Sequence, residues 1–290
     1  MKQIRIGTRE SALAMAQTQL ISAQIQAAEP NCTVELVPMK TEGDRILHRT
    51  LEEIGGKGLF VKELDVALLE GKIDLAVHSL KDLPMDLTPG LTIAAYSARG
   101  DARDVLVLPA GAAGFSGQGC IGSSSARRRM QVQQLFPAAT VRPVRGNVLT
   151  RLQKLDAGEY DALILAHAGL SRLGLSQRIS RVFSPEEMVP AAGQGILAVV
   201  GRAGEAHDFL TTVEHPASRA CAIAERAFVR GLNGGCTEPI GAYGEVQGQD
   251  LKLLGFYSGG ERSVSGSLVG SIHQAQQCGE RLAKELRGRL

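Results

Sequence analysis

The chain has 290 residues, 44% of them apolar and 21% charged, and a formal net charge of +2. That is the profile of a water-soluble globular protein long enough for two or three domains. The near-even charge and the 4% of aromatics, with no Trp, argue against a surface made for stacking bases. The opening "MKQIRIGTRESALAMAQ" reads as a strand and a helix, not a signal peptide, and no stretch approaches the ~18 apolar residues of a membrane span. The five cysteines are scattered with no CxxC pair and the six histidines show no HExxH spacing, so neither a disulfide framework nor a metal site is expected. A reducing, cytoplasmic setting follows as the expectation.

In chain order, strand-like "QIRIGT" precedes the helical pattern "ALAMAQTQLISAQIQAAE", followed by strand "TVELVPMK", helix "GLFVKELDVALLEGK" and strand "IDLAVHSL". The alternation resumes with "DVLVLP", "CIGSSS", helix "ARRRMQVQQLF", "TVRPVRG", helix "NVLTRLQKLDAGE", "DALILAHAGL" and "GILAVVGR". Strands alternating with helices predict an α/β fold with largely parallel sheets. Polar Ala98–Val105 and the segment Val189–Gly195 are candidate joints between two α/β lobes, with a ligand cleft between them. The expected division is 1–98 with 194–214 for the first lobe, 99–193 for the second, and 215–290 for a C-terminal α+β domain. In that last part a helix, Pro216–Leu232, leads into an antiparallel meander and a final amphipathic helix at about Ile272–Arg287.

Four stretches carry chemistry. Between Gly122 and Arg181 basic residues, among them Arg127, Arg128, Arg145, Arg151 and Arg172, far outnumber the acidic Asp156, Glu159 and Asp161. Arginine grips carboxylate or phosphate through paired hydrogen bonds, and "GSSSARRR" sets guanidinium groups at a helix start, so polyphosphate, nucleic acid and polycarboxylate all remain open as ligands. "IGGKGLFVKEL" is a glycine loop carrying Lys57 and lacks the P-loop pattern. In "DLAVHSLKDLP" a buried strand ends in Lys81 and Asp82, and Leu83 before Pro84 is held extended, which aims Asp82. Such a pair is either a surface ion pair or an acid that protonates a leaving group and then steadies a developing cation. His78, inside the apolar strand, reads as a hydrogen-bonded core residue. In "NGGCTEPIG" the Asn233–Gly235 run can close a helix in the left-handed region, leaving Cys236 on an uncovered turn. Cys236 is then a small loop hydrophobe, a nucleophile or a permanent covalent anchor.

The motifs "GTRESALA", "GGKGLFVKEL", "DLAVHSLKDLP", "GSSSARRR", "RGNVLTRLQKLDAGEYDALILAHAGLSRLGL", "VPAAGQG" and "NGGCTEPIGAY", collinear over nearly the whole chain, resemble the porphobilinogen deaminase (hydroxymethylbilane synthase) family. The resemblance implies two periplasmic-binding-protein-like lobes and a small α+β domain with an antiparallel sheet. It implies a dipyrromethane cofactor on Cys236 through a thioether, to which four porphobilinogen units are added head to tail. Each addition releases ammonia, hydroxymethylbilane is finally freed by hydrolysis, and the cofactor stays attached. By that resemblance Asp82 is the catalytic aspartate, binding pyrrole N–H groups and stabilising the azafulvene cation. Lys81, Asp82, Ser125, Arg127, Arg128 and Arg145 match cofactor contacts, and Arg9, Ser11, Lys57, Ser79, Arg145, Arg151 and Arg172 match substrate contacts. A monomer without metal, nucleic-acid or membrane partners is implied, handing its product to uroporphyrinogen-III synthase. Ala12, Ser123, Glu53 and His167 depart from the family's usual residues. Two rivals are a solute-binding protein, which has no use for a cysteine-bearing third domain, and an RNA binder built on the central arginines.

Overall fold

The computed structural model describes residues 2–41, 43, 61–234, 238–260 and 262–290. Lys57, Glu53 and Cys236 therefore lie outside the described residues.

The first sheet is built from β1 (Lys2–Arg9), β2 (Cys32–Met39), β3 (Leu75–Ser79), β4 (Leu91–Tyr96) and β10 (Leu197–Arg202), in the order β2-β1-β3-β10-β4. Its central strands β3 and β10 are buried on both faces. Ile4, Ile6, Val77 and Val199 pack with Ile21 and Ile25 of α1 (Ala12–Ala28), while Ala76, Ala198 and Val200 pack with Leu64 and Leu68 of α2 (Lys62–Leu69). A strand covered on both sides reads as an unbroken apolar run, as "DLAVHSL" does. The second sheet contains β5 (Asp104–Val107), β6 (Gly119–Gly122), β7 (Ala139–Arg142), β8 (Ala162–Ala166) and β9 (Ile179–Val182), in the order β7-β6-β8-β5-β9. Its helices are α3 (Ala126–Leu135), α4 (Val148–Asp156) and α5 (His167–Arg172).

The expectation of largely parallel sheets needs correction. In the first sheet β1 runs parallel to β2 and β3, but β10 is antiparallel to both its neighbours. The second sheet repeats the arrangement, with β6 parallel to β7 and β8 and with β5 antiparallel to β8 and β9. The reversed strand in each sheet is the one by which the chain enters from the other sheet. Two crossings, residues 97–103 and 183–196, make these entries. They lie side by side, with Ser97 N donating to Leu197 O (2.9 Å) and Gly100 N to Gly195 O (3.1 Å). The contact requires glycine at 195, where φ is +90° and a Cβ would stand 2.4 Å from Gly100 O.

The C-terminal part forms the expected meander, β11 (Ile240–Gln247), β12 (Asp250–Ser258) and β13 (Ser263–Ser271), against α6 (Pro216–Gly231) and α7 (Ala275–Arg287). Phe228, Leu282 and Leu286 fill its core. Asn233, with φ 56°, follows the end of α6 in the left-handed region, as its sequence predicts. Glu225 of α6 is fully buried and joins this part to both crossings. Its carboxylate accepts from Arg99 Nη1 (2.6 Å), Gly193 N (2.6 Å) and Gly244 N (2.6 Å). Among the described residues no helix is long and apolar enough to cross a membrane.

Candidate active site

Strand β3 ends at Ser79, and one tight helical turn, Leu80–Asp82, follows. Leu80 is completely buried and pins the turn, so the neighbouring side chains leave it in different directions. Asp82 is exposed, whereas Lys81 is partly covered and lines the space between the two sheets. Leu83 adopts φ −75° and ψ 138°, the extended exit that Pro84 demands. Gln17 of α1 braces the end of β3: its Nε2 donates to Ser79 Oγ (2.9 Å) and its Oε1 accepts from that hydroxyl (3.3 Å). His78 is buried as expected, but its Nε2 finds no hydrogen-bond partner among the described residues. Burial, then the nearby charge of Arg9, lowers its pKa to about 4, so the ring is neutral.

The facing wall comes from the second sheet. Ser125 caps α3, accepting from Arg128 N (3.4 Å), and Asn147 caps α4, accepting from Thr150 N (2.9 Å). These caps fix where the arginines start. Arg151 Nε donates to Gly146 O (2.9 Å), and Arg172 Nη2, at the end of α5, donates to Gly195 O (2.5 Å). The resulting cavity of about 90 Å³ is lined by Leu13, Gln17, Ser79 and Lys81 from one side and by Arg128, Val148, Arg151, Leu165 and Arg172 from the other, with Gln194 and Gly195 of the crossing between them.

The electrostatics of this cavity are one-sided. Burial brings Lys81 down to about 8; Asp82 and Asp104 oppose the shift while Arg128 and Arg127 add to it. Arg151 falls to about 10, first through burial and then through Arg128 and Arg145, and Arg172 falls to about 10 through burial. Among the described residues neither Arg151 nor Arg172 forms an ion pair. Two other central basic residues are matched: Arg178 with Asp156 (2.7 Å) and Arg181 with Glu187 (2.5 Å). Arg128 is matched by Asp104 (2.7 Å), so the uncompensated charge in this lining is that of Arg151 and Arg172, and it suits an anion with more than one charge.

The remaining expected residues are spread around this core. Arg127 is 3% exposed and does not line the cavity; Nη1 donates to Asp104 Oδ2 (2.6 Å) and Val189 O (2.7 Å). Arg145 is close enough to Arg151 for its charge to depress it. Arg9 is half-buried at the end of β1, near His78, and Ser11 is the N-cap of α1, accepting from Ala14 N (3.3 Å). His167 opens α5, with Nδ1 3.1 Å from Ser171 Oγ and Nε2 3.6 Å from Asp101. Three participants escaped the sequence reading: Gln17, Asp104 and Gln194. Asp104 heads a four-residue strand buried along its length, which is the signal a lone carboxylate there could have provided.

The family model described as "Porphobilinogen deaminase, dipyromethane cofactor binding domain" matches residues 4–208, and "Porphobilinogen deaminase, C-terminal domain" matches residues 219–288. The chain is 50% identical to the porphobilinogen deaminase of Acetivibrio thermocellus, covering 98% of both chains. It is 47% identical to that of Alkaliphilus oremlandii, covering 99% of this chain and 97% of the relative, and 47% identical to that of Chromobacterium violaceum, covering 99% and 94%. Among solved structures, the effector binding domain of a BenM variant is similar at 20% identity and a TM-score of 0.42, over 73% of this chain and 91% of that chain. With both family models placed in order along the chain and relatives matched nearly from end to end, the chain belongs to the porphobilinogen deaminase family.

Proposed function

We propose that the chain performs the family's reaction, the head-to-tail polymerisation of porphobilinogen with loss of ammonia, in the cavity between the two sheets and on a dipyrromethane held by Cys236. The observation that carries this reading is the one-sided charge of the cavity. Each porphobilinogen unit brings an acetate and a propionate, so a growing chain gathers carboxylates that repel one another unless cations pair with them. Arg151 and Arg172, both depressed, gain stability from a carboxylate neighbour, and Arg128 and Lys81 stand in the same lining.

The residues present therefore fit a dipyrromethane with acid side chains. Arg128, Arg145 and Lys81 would hold its carboxylates, with Arg127 and Ser125 supporting them, and Arg9, Ser11, Lys57, Ser79, Arg151 and Arg172 would receive the incoming substrate. When bound, this group supplies the nucleophilic pyrrole carbon from which the product grows. Asp82, exposed beside Lys81, gives a proton to the departing amine of porphobilinogen and, as a carboxylate, steadies the positive carbon left on the substrate.

The reading extends to a division at 1–98 with 194–214, 99–193 and 215–290, supported by the membership of the three sheets. It takes the chain as a cytoplasmic monomer whose linear product passes to uroporphyrinogen-III synthase. The test is incubation with porphobilinogen followed by intact mass: stepwise additions on one species are expected, lost in Cys236→Ser. Asp82→Asn should fold and melt normally while turnover drops at least ~100-fold, the usual scale for a displaced acid–base group. Unchanged turnover in Asp82→Asn would refute the assigned role.

A further inference from the structure

Asp104 is 0% exposed and accepts four hydrogen bonds: from Arg127 Nη1 (2.6 Å), Arg128 Nε (3.1 Å), Arg128 Nη2 (2.7 Å) and Gln194 Nε2 (2.9 Å). A fixed anion among arginines meant for carboxylate ligands competes with those ligands, so its presence calls for a reason. Part of the reason is structural, because two adjacent buried guanidinium groups repel unless a counter-charge sits between them.

The fourth bond points to another role. A carboxylate can only accept hydrogen bonds, so Gln194 must turn its NH₂ toward Asp104. The same NH₂ donates to Ala102 O (2.6 Å), which fixes the amide a second time. Its oxygen is thereby left facing the first sheet, where it accepts from Lys81 Nζ (3.2 Å). An asparagine at 104 could donate as well as accept, which leaves Ala102 O alone to hold the amide and loosens the oxygen that faces the lysine.

We propose that Asp104 is a positioning residue for the deaminase reaction: acting through Gln194, it fixes where the Lys81 ammonium stands beside Asp82. The proposal rests on the catalytic reading given above. It requires no contact between Asp104 and substrate. The negative charge of Asp104 also favours the protonated form of Lys81 from a distance, so loss of either member of the relay destabilises the ammonium in the same direction.

The test follows Lys81 itself. Holoenzyme is trace-labelled with acetic anhydride across a pH series, and acetylation of the Lys81 peptide is measured by mass spectrometry, alongside the pH profile of kcat. In Asp104→Asn the midpoint of Lys81 reactivity should move to lower pH by about one unit, the scale of one nearby charge in a partly screened site. The alkaline limb of kcat should move with it. Gln194→Leu, which keeps both arginines paired with Asp104, should shift the midpoint in the same direction and serves if Asp104→Asn does not fold. In the double variant the shift should be no larger than in Asp104→Asn, as expected for two residues in one relay. An unmoved Lys81 midpoint in Gln194→Leu, or shifts that add in the double variant, would overturn the proposal. Failure of the wild-type protein to accept porphobilinogen would instead defeat the catalytic reading and leave the Lys81 measurement standing.

Discussion

Replacing Arg151 by Met should make the cofactor-free protein more stable while impairing its turnover. The Arg151 guanidinium is pulled down to about 10, mainly by burial and then by Arg128 and Arg145. A base with a depressed pKa binds its proton less well in the folded chain than in the unfolded one. Below about pH 10 the folded state therefore carries a penalty, which is relieved as pH rises through 10 toward the unfolded value. The full depression corresponds to roughly 3 kcal/mol at neutral pH, from about 1.4 kcal/mol per tenfold change in acidity constant. Because Arg151 keeps some contact with solvent, screening trims this to about 1–2 kcal/mol. Methionine preserves most of the unbranched stem and removes the charge. At about 2–4 °C per kcal/mol for a chain of this size, Tm of the cofactor-free protein should rise by about 2–8 °C. The assay is differential scanning calorimetry of Cys236→Ser with and without Arg151→Met, paired with steady-state kinetics in the Cys236 background. A lower Tm in the Arg151→Met protein would show that the cavity does not hold unrelieved repulsion.

Glu225→Ala removes the fully buried acceptor of Arg99, Gly193 and Gly244, and breaking such a pair from one side costs about 3–5 kcal/mol. A fall in Tm of about 6–20 °C is expected, and a change under about 2 °C would contradict it. The alkaline limb of kcat/KM should reflect Lys81, whose charge in the ligand-free protein is lost as pH rises through about 8. In Lys81→Arg that limb should move upward beyond pH 9; an identical profile would assign it to another group.

Much of the site was legible because local chemistry produces it. The stop of β3 and the extended Leu83 follow from Pro84, and the caps at Ser11 and Ser125 hold helix starts that the hydrophobic pattern already marks. What escaped depends on distant parts of the chain. β4, "LTIAAY", and the short edge strand β9, "ISRV", were not singled out, since a run of six or four residues is weak evidence of a strand without its neighbours. The antiparallel settings of β5 and β10 come from the direction in which the chain re-enters each sheet, which no local pattern encodes. "DALILAHAGL" divides at Ala166 because His167 starts α5, with its backbone N–H taken by Arg103 O (3.0 Å). Asp104 lies in a polar stretch that reads as surface, and only the arginines at positions 127 and 128 folding over it make it interior.

The pairing of the two crossings has an engineering consequence. Every strand of the second sheet lies between them, and they leave the first sheet a single hydrogen bond apart, Ser97 N to Leu197 O at 2.9 Å. Topologically, β5 to β9 form a cassette whose two ends share one doorway. A short turn joining Ser97 to Leu197 can close the gap without re-routing the first sheet, provided that Glu225, which loses Arg99 and Gly193 with the cassette, is replaced by an apolar residue.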